Sequence, residues 1–268
     1  METNKQKEIK WWMEEYGFFG KFYMEGDDSK DGYLECRQQT LDERTKMEAE
    51  GVIRLLELTG KEKVLDCPCG YGRHSNFLCR KGIEVVGYDI NSIHLNFAKR
   101  FAIENNLPTK FLQKNMLDIN DINKFDAIIN MFYSFGFFDT DEENQKVLQN
   151  FYNALKPNGK FLMHTDVNLA RIKSEKYKFE ESRSLNSGKR LRIVDSYNSN
   201  TKRIDGKWII SDVNGGNKEV DYSVRVYSKE EFCNMCLQAG FTKVQVFSDW
   251  DGKEYSEDAE DMIVIAEK

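Results

Sequence analysis

The sequence predicts an α/β protein built on a mostly parallel β-sheet. Residues 61–168 alternate short apolar runs with helical segments, a pattern that indicates βαβ units. Right-handed crossovers leave few topologies for such units. Residues 228–268 end in two apolar runs with no helical segment between them, so the last two strands should pair antiparallel. The expected sheet is therefore parallel except for a reversed last strand.

Length and charge exclude several classes of protein. The chain has 268 residues, of which 40% are hydrophobic, and a formal net charge of −6. A chain of this length buries roughly 75% of its unfolded surface, so it needs no metal or disulfide to fold. The negative charge gives no general basic field for a nucleic-acid backbone. No apolar run is long enough for a membrane span and no secretory signal is present, so we expect a cytoplasmic protein with reduced cysteines.

The predicted elements of the middle region follow from apolar runs and from helix start and stop signals. Gly82 and Gly159 follow two of the helices, and Asn91 or Ser92 is placed to cap the helix between them. The predicted strands are Lys63–Cys67, Glu84–Asp89, Lys110–Gln113, Phe125–Met131 and Lys160–Thr165. The predicted helices cover Arg73–Lys81, the residues from Asn91 to about Glu104, and Glu142–Leu155.

Four regions differ in their patterns. Residues 1–60 are helical and rich in aromatic side chains, which predicts a lid, and residues 61–168 are the ligand-binding core. Residues 169–227 are predicted to be an antiparallel β insertion that shapes the substrate pocket. Residues 228–268 complete the core with a helix and a β-hairpin, and Ser228 and Glu231 have the spacing of a capping box at the start of that helix.

A glycine-rich turn between the first strand and its helix points to the chemistry. Glycine lets backbone approach a ligand closely, and Asp89, 19 residues after Gly70, can accept both ribose hydroxyls of a nucleoside. A dinucleotide-binding turn would have Gly or Ala where Ser75 lies. Asp66 at the end of the first strand would repel a pyrophosphate but attract a methionine ammonium group. These residues favour S-adenosylmethionine over NAD, and a dehydrogenase remains an alternative.

The same residues carry a family resemblance. Residues 64–74 resemble the first motif of class I S-adenosylmethionine-dependent methyltransferases, and Asn115–Asp118 resembles the segment that contacts adenine. Residues 130–138, and 225–228 together with 239–241, resemble a bacterial small-molecule subgroup of that class. The resemblance implies a Rossmann-like seven-stranded, mostly parallel sheet with a reversed last strand, an N-terminal helical lid and an antiparallel β insertion. It also implies S-adenosylmethionine as cofactor.

The resemblance assigns candidate cofactor-binding residues along the middle region. They are Arg44, Asp66, Cys69, Gly70, Gly72, Asp89, Ile90, Asn115, Met116, Asn130 and Phe132. Arg44 lies on a predicted helix and could reach the methionine carboxylate, although a charge on a helix is usually only solvated. Asp118 is an alternative to Asn115 at the adenine, because the family often has Asp where Asn115 lies.

Candidate catalytic residues follow the fourth and fifth strands. They are Tyr133, His164 and Asp166. His164 could act as a base and Asp166 could hold a substrate cation, but a structural histidine, a salt-bridged strand end and core packing of Tyr133 are the alternatives. An amine acceptor is slightly favoured by the aromatic residues of the lid and by Asp27, Asp28 and Asp31. Aromatic rings and carboxylates attract cations.

The predicted function is methyl transfer from S-adenosylmethionine to N or O of a small molecule or a short peptide. An RNA or protein-side-chain methyltransferase and a non-catalytic S-adenosylmethionine-binding protein are the alternatives. Cys233 and Cys236 have C-x-x-C spacing but no second pair of ligands nearby, so no metal is expected. Neither nucleic acid nor membrane is an expected partner.

Overall fold

The computed structural model describes residues 10–27, 40–132, 134–212 and 214–268. The helices are α1 (Lys21–Asp27), α2 (Leu41–Leu56), α3 (Arg73–Arg80), α4 (Ser92–Glu104), α5 (Asp141–Ala154), α6 (Leu169–Lys173) and α7 (Lys229–Ala239). The strands are β1 (Lys63–Asp66), β2 (Glu84–Asp89), β3 (Lys110–Gln113), β4 (Phe125–Asn130), β5 (Leu155–Thr165), β6 (Glu180–Ser184), β7 (Arg190–Asn198), β8 (Arg203–Ser211), β9 (Asn217–Arg225), β10 (Lys243–Phe247) and β11 (Met262–Glu267).

Seven strands form one sheet in the order β3-β2-β1-β4-β5-β11-β10. The pairs among β1 to β5 are parallel, whereas β11 is antiparallel to both β5 and β10. The chain between β10 and β11 contains no helix to carry a crossover, so β11 returns beside β10 in the opposite direction. The predicted α/β fold with a reversed last strand is confirmed.

Helices cover both faces of this sheet. Alternate residues of β1 point to opposite faces, and Val64 packs with Val52 and Leu78 of α2 and α3. Leu65 belongs to the core of the other face, with Phe151 of α5 and Phe232 of α7. Burial on both faces is what parallel strands require, and it fixes the carboxyl ends of β1, β2 and β4 as one edge of a rigid layer.

The helix starts follow local sequence signals, and one strand differs from its prediction. Capping boxes begin α2, α5 and α7, including the predicted one at Ser228. The prediction that β5 begins at Lys160 is wrong, because the strand already starts at Leu155. Leu155 pairs with Phe125 while Lys160 pairs with Ala127, so the residues between them form an irregularity within the strand pairing.

The insertion forms a second sheet with the antiparallel order β6-β7-β8-β9. Its inner face shares a core with the N-terminal segment, in which Phe18 packs edge-on against Trp208 at 5.2 Å between ring centroids. This packing attaches residues 10–27 to the insertion, as expected for a lid, while the four domain boundaries stay predictions. None of the helices in the described ranges has the length and apolar character needed to cross a membrane.

Candidate active site

A cavity with about 900 Å³ of empty space, counted out to its mouth, lies at the carboxyl ends of β1, β2 and β4. Open α/β sheets bind their ligands at this edge. The core contributes the glycine turn, the start of α4 and the loops after β3 and β4, and the lid contributes aromatic side chains. The lining residues include Trp11, Trp12, Phe19, Tyr23, Cys69, Gly70, Tyr71, Arg73, His74, Asp89, Ile90, His94, Lys114, Asn115, Met116, Met131 and Phe132.

The glycine turn depends on its two glycines for different reasons. Gly72 has a φ of +81°, and a Cβ there would lie 2.8 Å from Cβ of Ala98 and 2.9 Å from Cζ of Phe111. Gly70 has a φ of +53°, and no atom lies within 4 Å of the position that its Cβ would take. Gly72 therefore packs the turn onto α4 without lining the cavity, and Gly70 lines the cavity.

Asp89 lines the cavity at the end of β2, as the sequence predicted for a ribose contact. Its two carboxylate oxygens accept hydrogen bonds of 2.8 Å from the backbone N–H groups of Gly70 and Asn91. Burial is the main cause that raises the pKa of Asp89, and these backbone donors oppose that shift. Each carboxylate oxygen keeps a further lone pair that a ribose hydroxyl can use.

Asp66, at the end of β1, is 1% exposed and is not itself among the lining residues, although Pro68 to Tyr71 of the turn that follows it are. Its Oδ2 accepts a 2.5 Å hydrogen bond from Oγ of Ser75, whereas Oδ1 has no hydrogen-bond partner within the described residues. Burial is the largest cause that raises the pKa of Asp66 to about 7. A buried acceptor without a donor fits the methionine ammonium group of S-adenosylmethionine, which would restore its charge.

Arg73 is the residue that sequence reasoning missed. Its Nη1 donates to Oε2 of Glu48 at 2.6 Å and to Oγ1 of Thr45 at 3.0 Å, and its Nη2 is buried with no acceptor within the described part of the chain. Arg73 lines the cavity, so this Nη2 fits a methionine carboxylate. Arg73 is the first residue of α3, where a positive charge is unfavourable next to the helix dipole. An unfavourably placed cation of this kind was the feature of the sequence that could have indicated a functional arginine.

Arg44, the residue predicted for that carboxylate, does not line the cavity. It is 1% exposed, and its Nε donates to Oε1 of Glu48 at 2.7 Å. Its Nη2 lies 3.5 Å from Oδ2 of Asp166, and its guanidinium lies 4.5 Å from the ring centroid of Phe132. Arg44 thus contacts Glu48, Asp166 and Phe132, whereas Arg73 lines the cavity and is better placed than Arg44 for a methionine carboxylate.

The segment predicted to contact adenine borders the cavity. Asn115 and Met116 line the cavity with Cys69 and Ile90, and Oδ1 of Asn115 accepts a hydrogen bond of 3.0 Å from the backbone of Leu117. Asp118, the alternative to Asn115, is exposed and is not among the lining residues. Asn130 is fully buried below the cavity, where its Nδ2 donates to the carbonyl of Cys67 at 2.9 Å.

The two candidate catalytic residues that the structure describes, His164 and Asp166, lie in different surroundings. His164 is fully buried on β5, 3.3 Å from Asp261 and beside Trp250, and it does not line the cavity, so its position does not support a role as base. Asp166 follows β5 and lines a second cavity. Tyr133, Asp28 and Asp31 lie outside the described residues. Asp27 is buried and accepts a hydrogen bond from the hydroxyl of Tyr71.

The second cavity, with about 930 Å³ of empty space, adjoins the first. The two share Phe19 and Tyr23 of the lid and Phe132 after β4. Its other walls come from the loop after β5 and from the insertion. The remaining lining residues are Phe18, Asp166, Val167, Arg171, Tyr177, Lys178, Glu181, Arg183, Ile193, Asp195, Trp208 and Tyr222.

The strand order and the cavity after β1 and β2 define a nucleoside-binding α/β domain of the class I methyltransferase type. Residues 64–159 match the family described as "Methyltransferase domain". This segment of the chain is therefore similar to a methyltransferase domain, as the sequence motifs predicted, and S-adenosylmethionine is the cofactor that the class I fold accommodates.

Individual proteins agree with this class. The chain is 30% identical over 118 residues to the putative methyltransferase YqeM of Bacillus subtilis, covering 43% of this chain and 47% of that protein. It is 30% identical over 140 residues to a glycine/sarcosine N-methyltransferase of Halorhodospira halochloris, covering 50% of this chain and 51% of that protein. These alignments thus span about half of each relative. The CcbJ methyltransferase of Streptomyces caelestis has a similar fold, with a TM-score of 0.70 at 16% identity over 83% of this chain and 88% of that one.

We expect S-adenosylmethionine affinity to fall as the pH falls below about 7. The raised pKa of Asp66 means that its carboxyl is neutral below about 7 in the free protein, so an ammonium ligand must displace a proton. Well below pH 7, the affinity for S-adenosylmethionine should fall about tenfold for each pH unit. Calorimetric titration between pH 6 and pH 8 measures this change in affinity. Asp66→Asn should bind S-adenosylmethionine weakly, with a dissociation constant that does not change with pH. A flat wild-type profile would contradict this assignment of Asp66.

Proposed function

We propose that the protein transfers a methyl group from S-adenosylmethionine to an amine nitrogen of a small molecule bound in the second cavity. The contact between the two cavities carries this proposal. The guanidinium groups of Arg44 and Arg73 lie 4.5 Å and 5.2 Å from the ring centroid of Phe132, and this ring borders both cavities. Asp166 lies on the acceptor side of that ring, where an acceptor would meet the cofactor's reactive end.

The residues around Phe132 supply what methyl transfer to nitrogen needs. S-adenosylmethionine brings an already activated methyl group, so the protein mainly has to align the nucleophile. Asp166 can accept a hydrogen bond from the N–H of a neutral amine and so direct its lone pair toward the cofactor. The new N–C bond forms as the C–S bond breaks, its electron pair stays on sulfur, and the surplus proton leaves from nitrogen to water.

Three further observations favour a small amine. A neutral amine already carries its nucleophilic lone pair, whereas an alcohol acceptor would need a base, and the described residues that line the second cavity include no histidine. Aromatic rings and carboxylates together suit cationic nitrogen compounds. Relatives named glycine/sarcosine N-methyltransferase act on amines by name.

The alternatives have distinct signatures. An RNA or protein side chain would have to enter beneath lid residues that pack against the insertion, and the net charge of −6 gives no attraction for RNA. A non-catalytic binding protein would bind S-adenosylmethionine without turnover. A dehydrogenase would bind NAD more tightly than S-adenosylmethionine, which the carboxylate of Asp66 disfavours.

We expect labelled methyl transfer to short primary and secondary amines, and little transfer to the matched alcohols. Asp166→Asn should lower kcat/KM for amines about tenfold or more while cofactor affinity stays unchanged, because one hydrogen bond to a charged group is lost. Asp258→Asn, which removes an exposed partner of Lys176 at 3.1 Å, is the matched control. Transfer to alcohols alone, or binding without any transfer, would overturn the proposal.

A further inference from the structure

Asp195 is a buried carboxylate that methyl transfer to nitrogen, as proposed above, does not use. It lies on β7, is 9% exposed and lines the second cavity but not the first. Its two oxygens accept hydrogen bonds from the hydroxyls of Tyr222, at 2.5 Å, and Tyr177, at 2.7 Å. The three side chains come from three separate parts of the insertion, so the tertiary structure of the insertion brings them together.

The backbone around Asp195 makes room for this cluster. Gly206 on β8 pairs with Asp195 on one side and with Tyr222 of β9 on the other. A Cβ at Gly206 would collide with the Asp195 carboxylate and the Tyr222 ring. Tyr222 can therefore cross the middle strand and reach Asp195 only because residue 206 is a glycine.

The charge of Asp195 has no counterion among the residues that the structure describes. Within the described residues, no Lys, Arg or His nitrogen lies within 4 Å of Asp195, and its hydrogen bonds come from neutral phenols. Among the cations of the same cavity, Arg183 contacts Glu181 at 3.9 Å and the carbonyl of Gly26, and Lys178 is exposed. Arg171 donates to the carbonyl of Asp166. Burial raises the pKa of Asp195, and a bound cation would oppose that shift by stabilising the carboxylate.

Aromatic faces complete a cation site. Tyr177 and Tyr222 flank the carboxylate, Tyr222 packs 4.5 Å from Phe18, and Trp208 stacks on Tyr23 at 5.4 Å. A carboxylate among aromatic rings is a typical environment for an ammonium group. Resting on the function proposed above, we propose that Asp195 binds a second, protonated nitrogen of the acceptor, which is therefore a diamine or a larger compound with two amines.

Asp166 and Asp195, two of the three carboxylates that line the cavity, have different tasks under this proposal. The nitrogen that attacks the methyl group must be uncharged, and Asp166 has Arg44 3.5 Å away to offset its negative charge. Asp195 lacks such a cation and favours a nitrogen that stays protonated. One amine is thus held for reaction near Phe132, and the other anchors the acceptor on the insertion.

The test compares α,ω-diamines of three to six carbons with the matched monoamines, using labelled S-adenosylmethionine. We expect the wild type to have a KM at least about tenfold lower for the best diamine than for its monoamine. Asp195→Asn should abolish that preference by raising the KM for the diamine toward that for the monoamine. Asp205→Asn on β8, an exposed carboxylate bonded to Ser223 at 2.6 Å, is the matched control. Thermal melting checks that each variant folds, and Tyr222→Phe provides a second, milder variant.

The outcomes separate this proposal from the one on which it rests. A diamine preference that persists in Asp195→Asn, or no preference in the wild type, overturns the role of Asp195 while amine methylation stands. If no amine is methylated, the proposed function fails. Calorimetric titration of the S-adenosylhomocysteine complex with the diamines then tests by binding alone whether Asp195 forms a cation site. Binding that Asp195→Asn abolishes then supports a cation site at Asp195, and equal or absent binding overturns it.

Discussion

Replacing Asp89 by alanine is expected to weaken S-adenosylmethionine binding at least about 100-fold. The carboxylate is placed to accept two ribose hydroxyls, and it already holds the N–H groups of Gly70 and Asn91 at 2.8 Å. Hydrogen bonds to a charged group contribute about 1.5–3 kcal/mol each, and two of them correspond to 100-fold or more. The substitution also leaves two backbone donors of the turn without their acceptor. Isothermal titration with S-adenosylmethionine and S-adenosylhomocysteine measures the loss.

Asp118→Ala is the matched control for this experiment. Asp118 lies in the adenine segment but is exposed and does not line the cavity, so its removal should leave the dissociation constant unchanged. A large loss at Asp118 together with a small one at Asp89 would mean that the nucleoside binds in another orientation. The same comparison decides between Asn115 and Asp118, the two residues that the sequence left open at the adenine.

The cofactor side of the site was predictable because it depends on local sequence. A strand ending in Asp66, a turn with two glycines and a helix start at Arg73 occur in one continuous stretch, and Asp89 follows at the end of the next strand. The topology of βαβ units then brings both carboxylates to one edge of the sheet. Only the direction of the Arg73 side chain needed the structure, because a helix start alone does not say which acceptor an arginine finds.

The acceptor side was not predictable in this way. Residues 161–165 of β5 are all buried, so the sequence of this strand does not show which side chains reach a cavity, and His164 turned out to face Asp261 and Trp250. Tyr177, Asp195 and Tyr222 have no spacing that predicts a cluster. Antiparallel pairing across Gly206 brings the last two together, and pairing of that kind depends on tertiary structure rather than on local pattern.

The substitution with the largest expected effect on stability is Glu48→Gln. Glu48 is fully buried and joins Nε of Arg44 at 2.7 Å, Nη1 of Arg73 at 2.6 Å and Nε2 of His74 at 2.8 Å. The neighbouring cations hold the pKa of Glu48 well below its ordinary value despite its burial. Removing the charge takes from Arg44, which is buried, and from Arg73, which is mostly buried, the carboxylate that they share, and this costs about 3–5 kcal/mol of unfolding free energy. Urea unfolding at pH 7 measures it.

The control and the pH dependence sharpen this prediction. Glu50→Gln in the same helix removes a half-exposed partner of Lys81 at 3.3 Å and should change the unfolding free energy by at most about 1 kcal/mol. Because the folded-state pKa of Glu48 is depressed, its contribution is present above the unfolded value of 4.5 and is lost as the pH falls toward the folded pKa. The difference between wild type and Glu48→Gln should therefore shrink below about pH 4.5, by up to about 1.4 kcal/mol per pH unit. A difference in unfolding free energy that stays constant down to pH 3 would contradict this prediction. It would mean that the packing of the Glu48 side chain, and not its charge, stabilises the fold.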